Sequence, residues 1–259
     1  MNRRLTLEIE RAIGVLTLTA PDCGNGIDEV FCDELLEAAH ALEGNDAVRC
    51  VLLRSTGRYF CVGGNINAFA AAASDLGKFT RGLTSSLHMA LARLAGLSKP
   101  IVTAVNGPAA GAGLGLALIG DIVFAASSAS FALAYPRIGL SPDAGVSYLL
   151  PRMIGLRRAQ EMLFLERILK ADEAVEWGLI TRCVADAELA TETEKAAERL
   201  ATMPTMALGR AKRLLLESFS REIEVQLERE AQSISQCAQE PHASEGVAAF
   251  LERRPAKFT

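Results

Sequence analysis

The chain has 259 residues, half of them hydrophobic and 22% charged, with a formal charge of −4. These values fit one large domain, or one domain with a small appendage, and exclude a disordered chain. The mild negative charge leaves no electrostatic footprint for nucleic acid or an anionic membrane surface.

Six cysteines (23, 32, 50, 61, 183, 237) are scattered without a CxxC pair. They read as mostly buried thiols in a reducing compartment. The three histidines, His40, His88 and His242, have no ligand spacing to one another or to a cysteine, so no metal site is expected. Met1–Glu8 holds no apolar signal core, and a cytoplasmic protein is expected.

In chain order, Leu5–Ile9 and Gly14–Thr19 predict a hairpin. Pro21–Gly26 is a loop. Glu29–Glu43 carries Val30, Leu35, Leu36, Ala39 and Leu42 at helical spacing and stops at Gly44. Cys50–Leu53 reads as a short buried strand. Arg58–Ile66 then runs from an aromatic pair into Val62, Gly63 and Gly64, and residues 79–96 read as a helix.

Residues 99–121 carry the most information. A β-branched run, Ile101–Val105, leads into a small-residue turn around Gly107, Pro108, Gly111, Ala112 and Gly113, and then into an apolar helix. Small residues between a strand and a helix start let a ligand oxygen reach bare backbone N–H groups, which suits a developing negative charge. A membrane span of similar length is disfavoured by five glycines and two prolines. A dinucleotide fingerprint fails because its third glycine position is Leu116. A tight strand–helix junction without a ligand stays open on these residues alone.

Ile122–Ala126 and Ser130–Ala134 read as strands. Tyr135–Gly145 is a loop whose Ser141-Pro142-Asp143 resembles a helix start, so Asp143 reads equally as a helix cap. Residues 157–177 carry two short helices, and from Ala185 the composition becomes helical to the chain end. The whole indicates an α/β or α+β core with a helical C-terminal extension.

The chain resembles the crotonase family, the enoyl-CoA hydratase/isomerase superfamily. The resemblance rests on Phe60–Asn65, Lys99–Gly115, Asp121-Ile122, Ser130-Phe131 through Pro151-Arg152, Trp177–Ile180 and Phe250–Pro255, in that order. It implies a spiral of ββα units over residues 1–190 and a helical oligomerisation region over 191–259. It also implies a homotrimer or dimer of trimers, and acyl-CoA thioesters as substrates. No separate cofactor is expected, coenzyme A being part of the substrate.

By position in the family, backbone N–H groups of Gly64 and Ala112 hold an enolate oxygen. Asn25 and Gly26 lie in the segment that holds adenine and pantetheine, mainly through backbone. Val62, Gly63 and Gly111 belong to the same substrate-binding turns. Arg253 matches a basic position that meets CoA phosphate from a neighbouring subunit, with a solvated surface charge as the alternative. The stretch Phe69–Leu91 would cover the acyl tail, or pack as ordinary core.

Departures from the pattern bear on the reaction. The two hydratase glutamates would fall at Gly115 and Tyr135, and neither is acidic. The remaining acid is Asp143, placed as in the branch that resembles 1,2-epoxyphenylacetyl-CoA isomerase and in aryl-CoA dehalogenases. One carboxylate suffices for a proton shift through an enolate. The expected function is therefore an isomerase, with aryl-CoA dehalogenation or atypical hydration as alternatives. A catalytically silent acyl-CoA binder is the non-enzyme alternative. His88 matches a dehalogenase position but reads equally as a packed or surface group. Tyr135 lines the acyl pocket or simply packs.

Overall fold

The computed structural model describes residues 3–258. Its first half runs β1 (Leu5–Glu10), β2 (Ile13–Leu18), α1 (Glu29–Glu43), β3 (Cys50–Ser55), α2 (Ile66–Ala71), α3 (Leu76–Gly96), β4 (Ile101–Val105), β5 (Ala109–Ala110) and α4 (Ala112–Leu118). It continues with β6 (Ile122–Ala126), β7 (Ser130–Ala132), α5 (Val146–Ile154), α6 (Leu156–Phe164), β8 (Leu169–Lys170), α7 (Ala171–Glu176) and β9 (Arg182–Val184). Four helices close the chain: α8 (Leu189–Ala201), α9 (Thr205–Ser218), α10 (Ile223–Ala238) and α11 (Pro241–Glu252).

A six-stranded sheet has the order β1-β2-β3-β4-β6-β9, and a three-stranded sheet has the order β5-β7-β8. The β1–β2 hairpin is antiparallel, and every later pair in the large sheet is parallel. Successive turns of the chain supply one strand to the large sheet and then one to the small sheet, β4 then β5 and β6 then β7. This is the α/β spiral expected from the sequence.

Residue alternation decides which layer each strand side chain joins. Leu16, Leu18, Val51, Leu53, Val105, Val123 and Ala125 cluster with the apolar stripe of α1 and α3. Their neighbours Ile13, Val15, Cys50, Leu52, Val102, Ala104, Phe124 and Ala126 pack instead with Leu189, Ala197 and Ala201 of α8. The boundary expected after residue 190 therefore falls inside a helix that belongs to the core. From α9 onward the chain carries exposed apolar residues such as Leu215, Phe219, Ile223, Phe250 and Leu251.

Three polar devices fix the frame beneath the site. The Asp28 carboxylate caps α1, accepting from Phe31 N (3.0 Å), and pairs with Arg4 (2.6 Å). Lys99 Nζ is buried and donates to the carbonyls of Leu42, in the last turn of α1, and Asn45, just past its end. Burial pushes that ammonium below its ordinary pKa, against the raising effect of Asp46 and Glu43. Asp121 accepts from Ile101 N (2.8 Å) and from Lys212 (2.9 Å), tying β4 to α9. Lys99 and Asp121, which bracket the glycine-rich stretch, are thus structural.

Candidate active site

Two backbone turns meet at the carboxyl ends of β3 and β4. The first holds Val62, Gly63 and Gly64; the second holds Gly111 and Ala112. They are laced together where Ala110 N donates to Cys61 O (2.9 Å), and the first is tied to the loop before α1 where Ile27 N donates to Gly63 O (2.8 Å). Gly63 has φ +88°, and a Cβ there would lie 2.8 Å from Ala110 O and 3.3 Å from Ala112 N. Gly111 has φ +54° and a backbone conformation that side chains rarely adopt. Glycine at these two positions is what lets the turns touch.

The N–H groups of Gly64 and Ala112 donate to no backbone or side-chain acceptor among the described residues. Gly64 sits mid-bridge against Ile27, where its flanking residues make the bonds, and Ala112 opens α4, where first-turn N–H groups have no helical partner. Both residues line a cavity of about 640 Å³. Gly113 serves the junction itself, since a Cβ there would lie 2.2 Å from Cys61 O. The tight strand–helix junction and the free Ala112 N–H are therefore two aspects of one turn.

Among the described residues, Asp143 is the one acidic residue lining this cavity. Its side chain does not cap a helix: α5 begins at Val146 after Gly145, with no side-chain cap. Oδ1 instead accepts from the Tyr135 hydroxyl at 2.7 Å. Burial, and then the Asp143 charge, raise the Tyr135 phenol above its ordinary pKa, so it stays a donor. Oδ2 lies 3.8 Å from His88 Nε2, beyond hydrogen-bond length. That nitrogen accepts from Ala144 N at 3.1 Å.

Of the sequence-predicted residues, Gly63, Gly64, Gly111, Ala112, Val62, Tyr135, His88 and Asp143 come together on the cavity. Asn25 and Gly26 do not line it; Cys23 and Ile27 do. The Asn25 side chain is spent inside the chain, accepting from Ala20 N (2.9 Å) and donating to Thr56 O (3.0 Å) and Tyr59 O (2.9 Å). It shapes its loop and presents no side-chain group to a ligand. Arg253 ends α11, exposed, and lines no part of its own chain's cavity. Phe69, Leu83 and Leu87 give the cavity its apolar wall. Cys61 is no nucleophile: burial pushes its thiol up to about 12, and Sγ donates to Asn25 O (3.1 Å).

Sequence reading missed Ala144. A Cβ at Gly115 would lie 2.3 Å from the Ala144 carbonyl oxygen and 2.8 Å from the Ala144 Cβ. No side chain fits at 115, because the Ala144 peptide already fills that space. Ala144 has φ +52°, a conformation that alanine composition does not announce.

Residues 8–259 match the family model for enoyl-CoA hydratase/isomerase. The chain is 38% identical to 1,2-epoxyphenylacetyl-CoA isomerase of Escherichia coli, over 97% of this chain and 96% of that protein. It is 34% identical to 4-chlorobenzoyl coenzyme A dehalogenase-2 of an Arthrobacter species, over 95% of this chain and 91% of the other. The crystal structure of an enoyl-CoA hydratase from Polaromonas sp. JS666 superposes with a TM-score of 0.93 at 30% identity, covering 98% of each chain.

Proposed function

The chain belongs to the enoyl-CoA hydratase/isomerase family, and we propose that within it this protein is an isomerase of acyl-CoA thioesters with Asp143 as its acid and base. The observation that carries this reading is the single cavity carboxylate, set beside a Gly115 position that is already filled. Addition of water by the two-glutamate route needs a second acid, and neither Gly115, whose space is filled, nor Tyr135 supplies one.

The proposed steps use groups on the cavity wall. The thioester oxygen accepts from the N–H groups of Gly64 and Ala112. Asp143 removes a proton from the carbon next to the carbonyl or two bonds further on. The electron pair moves into the carbonyl, and the two N–H groups hold the enolate oxygen. One such donor stabilises the transition state by about 3 kcal/mol. Asp143 then returns the proton to the other carbon, so no atom is gained or lost. Tyr135 holds Oδ1 throughout, which leaves Oδ2 for the proton. Coenzyme A enters as part of the substrate, with no further cofactor.

Aryl-CoA dehalogenation is the second reading. It is favoured by the Arthrobacter relative and by a cavity carboxylate with one oxygen held by Tyr135 and the other left to act as a nucleophile. Self-association as a trimer or dimer of trimers in the cytoplasm completes the proposal. It is supported by the exposed apolar residues of α9–α11 and by six unpaired cysteines. Arg253 would then reach the CoA phosphates of a neighbouring copy. Among the described residues no helix is long and apolar enough to cross a membrane.

The test is incubation with vinylacetyl-CoA in deuterated water. The wild-type chain is expected to move the double bond and incorporate deuterium without adding water. Asp143→Asn is expected to bind the thioester and do neither. Full turnover by Asp143→Asn overturns the assignment, and a covalent acyl ester on Asp143 with halogenated aryl-CoA favours the second reading.

A further inference from the structure

His88 stands 3.8 Å from the Asp143 carboxylate on the cavity rim, where an imidazole is expected to act as a base for water. Its hydrogen bonding says otherwise. Nε2 accepts the Ala144 N–H at 3.1 Å. An imidazole nitrogen that accepts carries no proton, so the ring proton sits on Nδ1. The lone pair that would take a proton from water is already committed to the Ala144 amide. Asp143 draws its support from Tyr135 instead.

The amide held by His88 is an unusual one. Ala144 has φ +52°, which costs an L-residue free energy unless its surroundings hold it there. Ala144 is buried against Gly115, Val146 N and the Tyr135 hydroxyl donate to Asp143 O (3.0 and 3.4 Å) on one side, and Ala144 N reaches His88 on the other. In that conformation the Ala144 carbonyl and methyl fill the space in front of Gly115.

We propose that His88 is a positioning residue: Nε2 pins the Ala144 peptide over Gly115, and that peptide, standing where a water-activating side chain would project, biases the site toward proton shift and against hydration. The inference deepens the isomerase reading and rests on it for the reaction, but the hydrogen bond can be read without any substrate. His88 is about half exposed on α3, so its replacement leaves the α3 core stripe intact.

The test combines a spectroscopic and a kinetic measurement. With nitrogen-15 in the three histidines, the His88 signals are assigned by their loss in His88→Gln. Nε2 is expected to be unprotonated and Nδ1 protonated near neutral pH; a proton on Nε2 overturns the proposal. In deuterated water with vinylacetyl-CoA, His88→Ala is expected to lose about ten- to a hundredfold in the rate of deuterium incorporation through loosened placement of the loop. His88→Gln is expected to recover most of that rate, because the amide oxygen of glutamine accepts an N–H but cannot serve as a base at this pH. Equal loss in both variants overturns the positioning role. Absence of exchange by the wild-type chain overturns the isomerase reading instead, and the nitrogen signals then decide the role of His88 alone.

Discussion

At Tyr135 a phenol does work that a hydratase acid at this position would do differently. Its hydroxyl lies 2.7 Å from Asp143 Oδ1 and, kept protonated by burial and by that neighbouring charge, is the donor in this bond. A hydrogen bond to a charged group contributes about 1.5–3 kcal/mol. Tyr135→Phe is therefore expected to lower kcat about ten- to a hundredfold while KM changes little, as steady-state kinetics would show. An unchanged kcat would mean that Asp143 is oriented by something else. Gly115 makes the complementary case. Restoring the family acid as Gly115→Glu is not expected to restore hydration, since its Cβ would start 2.3 Å from the Ala144 carbonyl oxygen. Overpacking of this kind costs about 1–3 kcal/mol, visible as a lowered melting temperature. Rapid hydration of crotonyl-CoA by that variant would contradict the argument.

Elements whose cause is local were legible in the sequence. Helix α1 has the predicted bounds, Glu29 to Glu43, because an apolar stripe, an N-cap carboxylate and a terminal Gly44 all agree. The hairpin and the strands β3, β4 and β6 followed from β-branched and apolar runs. Helix α2 was not legible: six residues, half of them alanine, follow a glycine turn, and the cap comes from Asn65 accepting from Asn67 N (3.1 Å). Asp143 was legible only as an alternative between helix cap and acid, and the choice depended on where α5 begins, two residues beyond Ala144. The pairing of Tyr135 with Asp143 and the intrusion of Ala144 on Gly115 arise from packing between separate segments, which no periodicity encodes. Lys99 shows how a family motif can be structural. Lys99→Met is expected to strip the Leu42 and Asn45 carbonyls of a buried donor and to cost about 1–3 kcal/mol in denaturant unfolding, without altering thioester binding. Unchanged stability would show those carbonyls finding water.

At the scale of the whole molecule, the spiral matters because it stacks successive strand ends, and so sets residues 64 and 112, from different turns, against one cavity. The helices beyond α8 leave a different mark. Phe250 and Leu251 are 84% and 75% exposed. These are apolar residues that the proposed self-association would cover. Phe250→Glu together with Leu251→Glu is expected to reduce the particle mass measured by light scattering, and a wild-type chain of 259 residues that runs as a monomer would refute this. The most direct probe of the account is Ala112→Pro. Proline is tolerated at the first position of a helix, so the exchange removes one N–H from the cavity and leaves α4 able to form. With an acyl-CoA labelled with carbon-13 at the thioester carbonyl, infrared difference spectra of the wild-type complex should show the C=O stretch moved to lower frequency. In Ala112→Pro that displacement should shrink, and kcat should fall about a hundred- to a thousandfold. An undisplaced carbonyl in the wild-type complex, or full turnover by a well-folded Ala112→Pro, would contradict the convergence of the Gly64 and Ala112 amides on one oxygen.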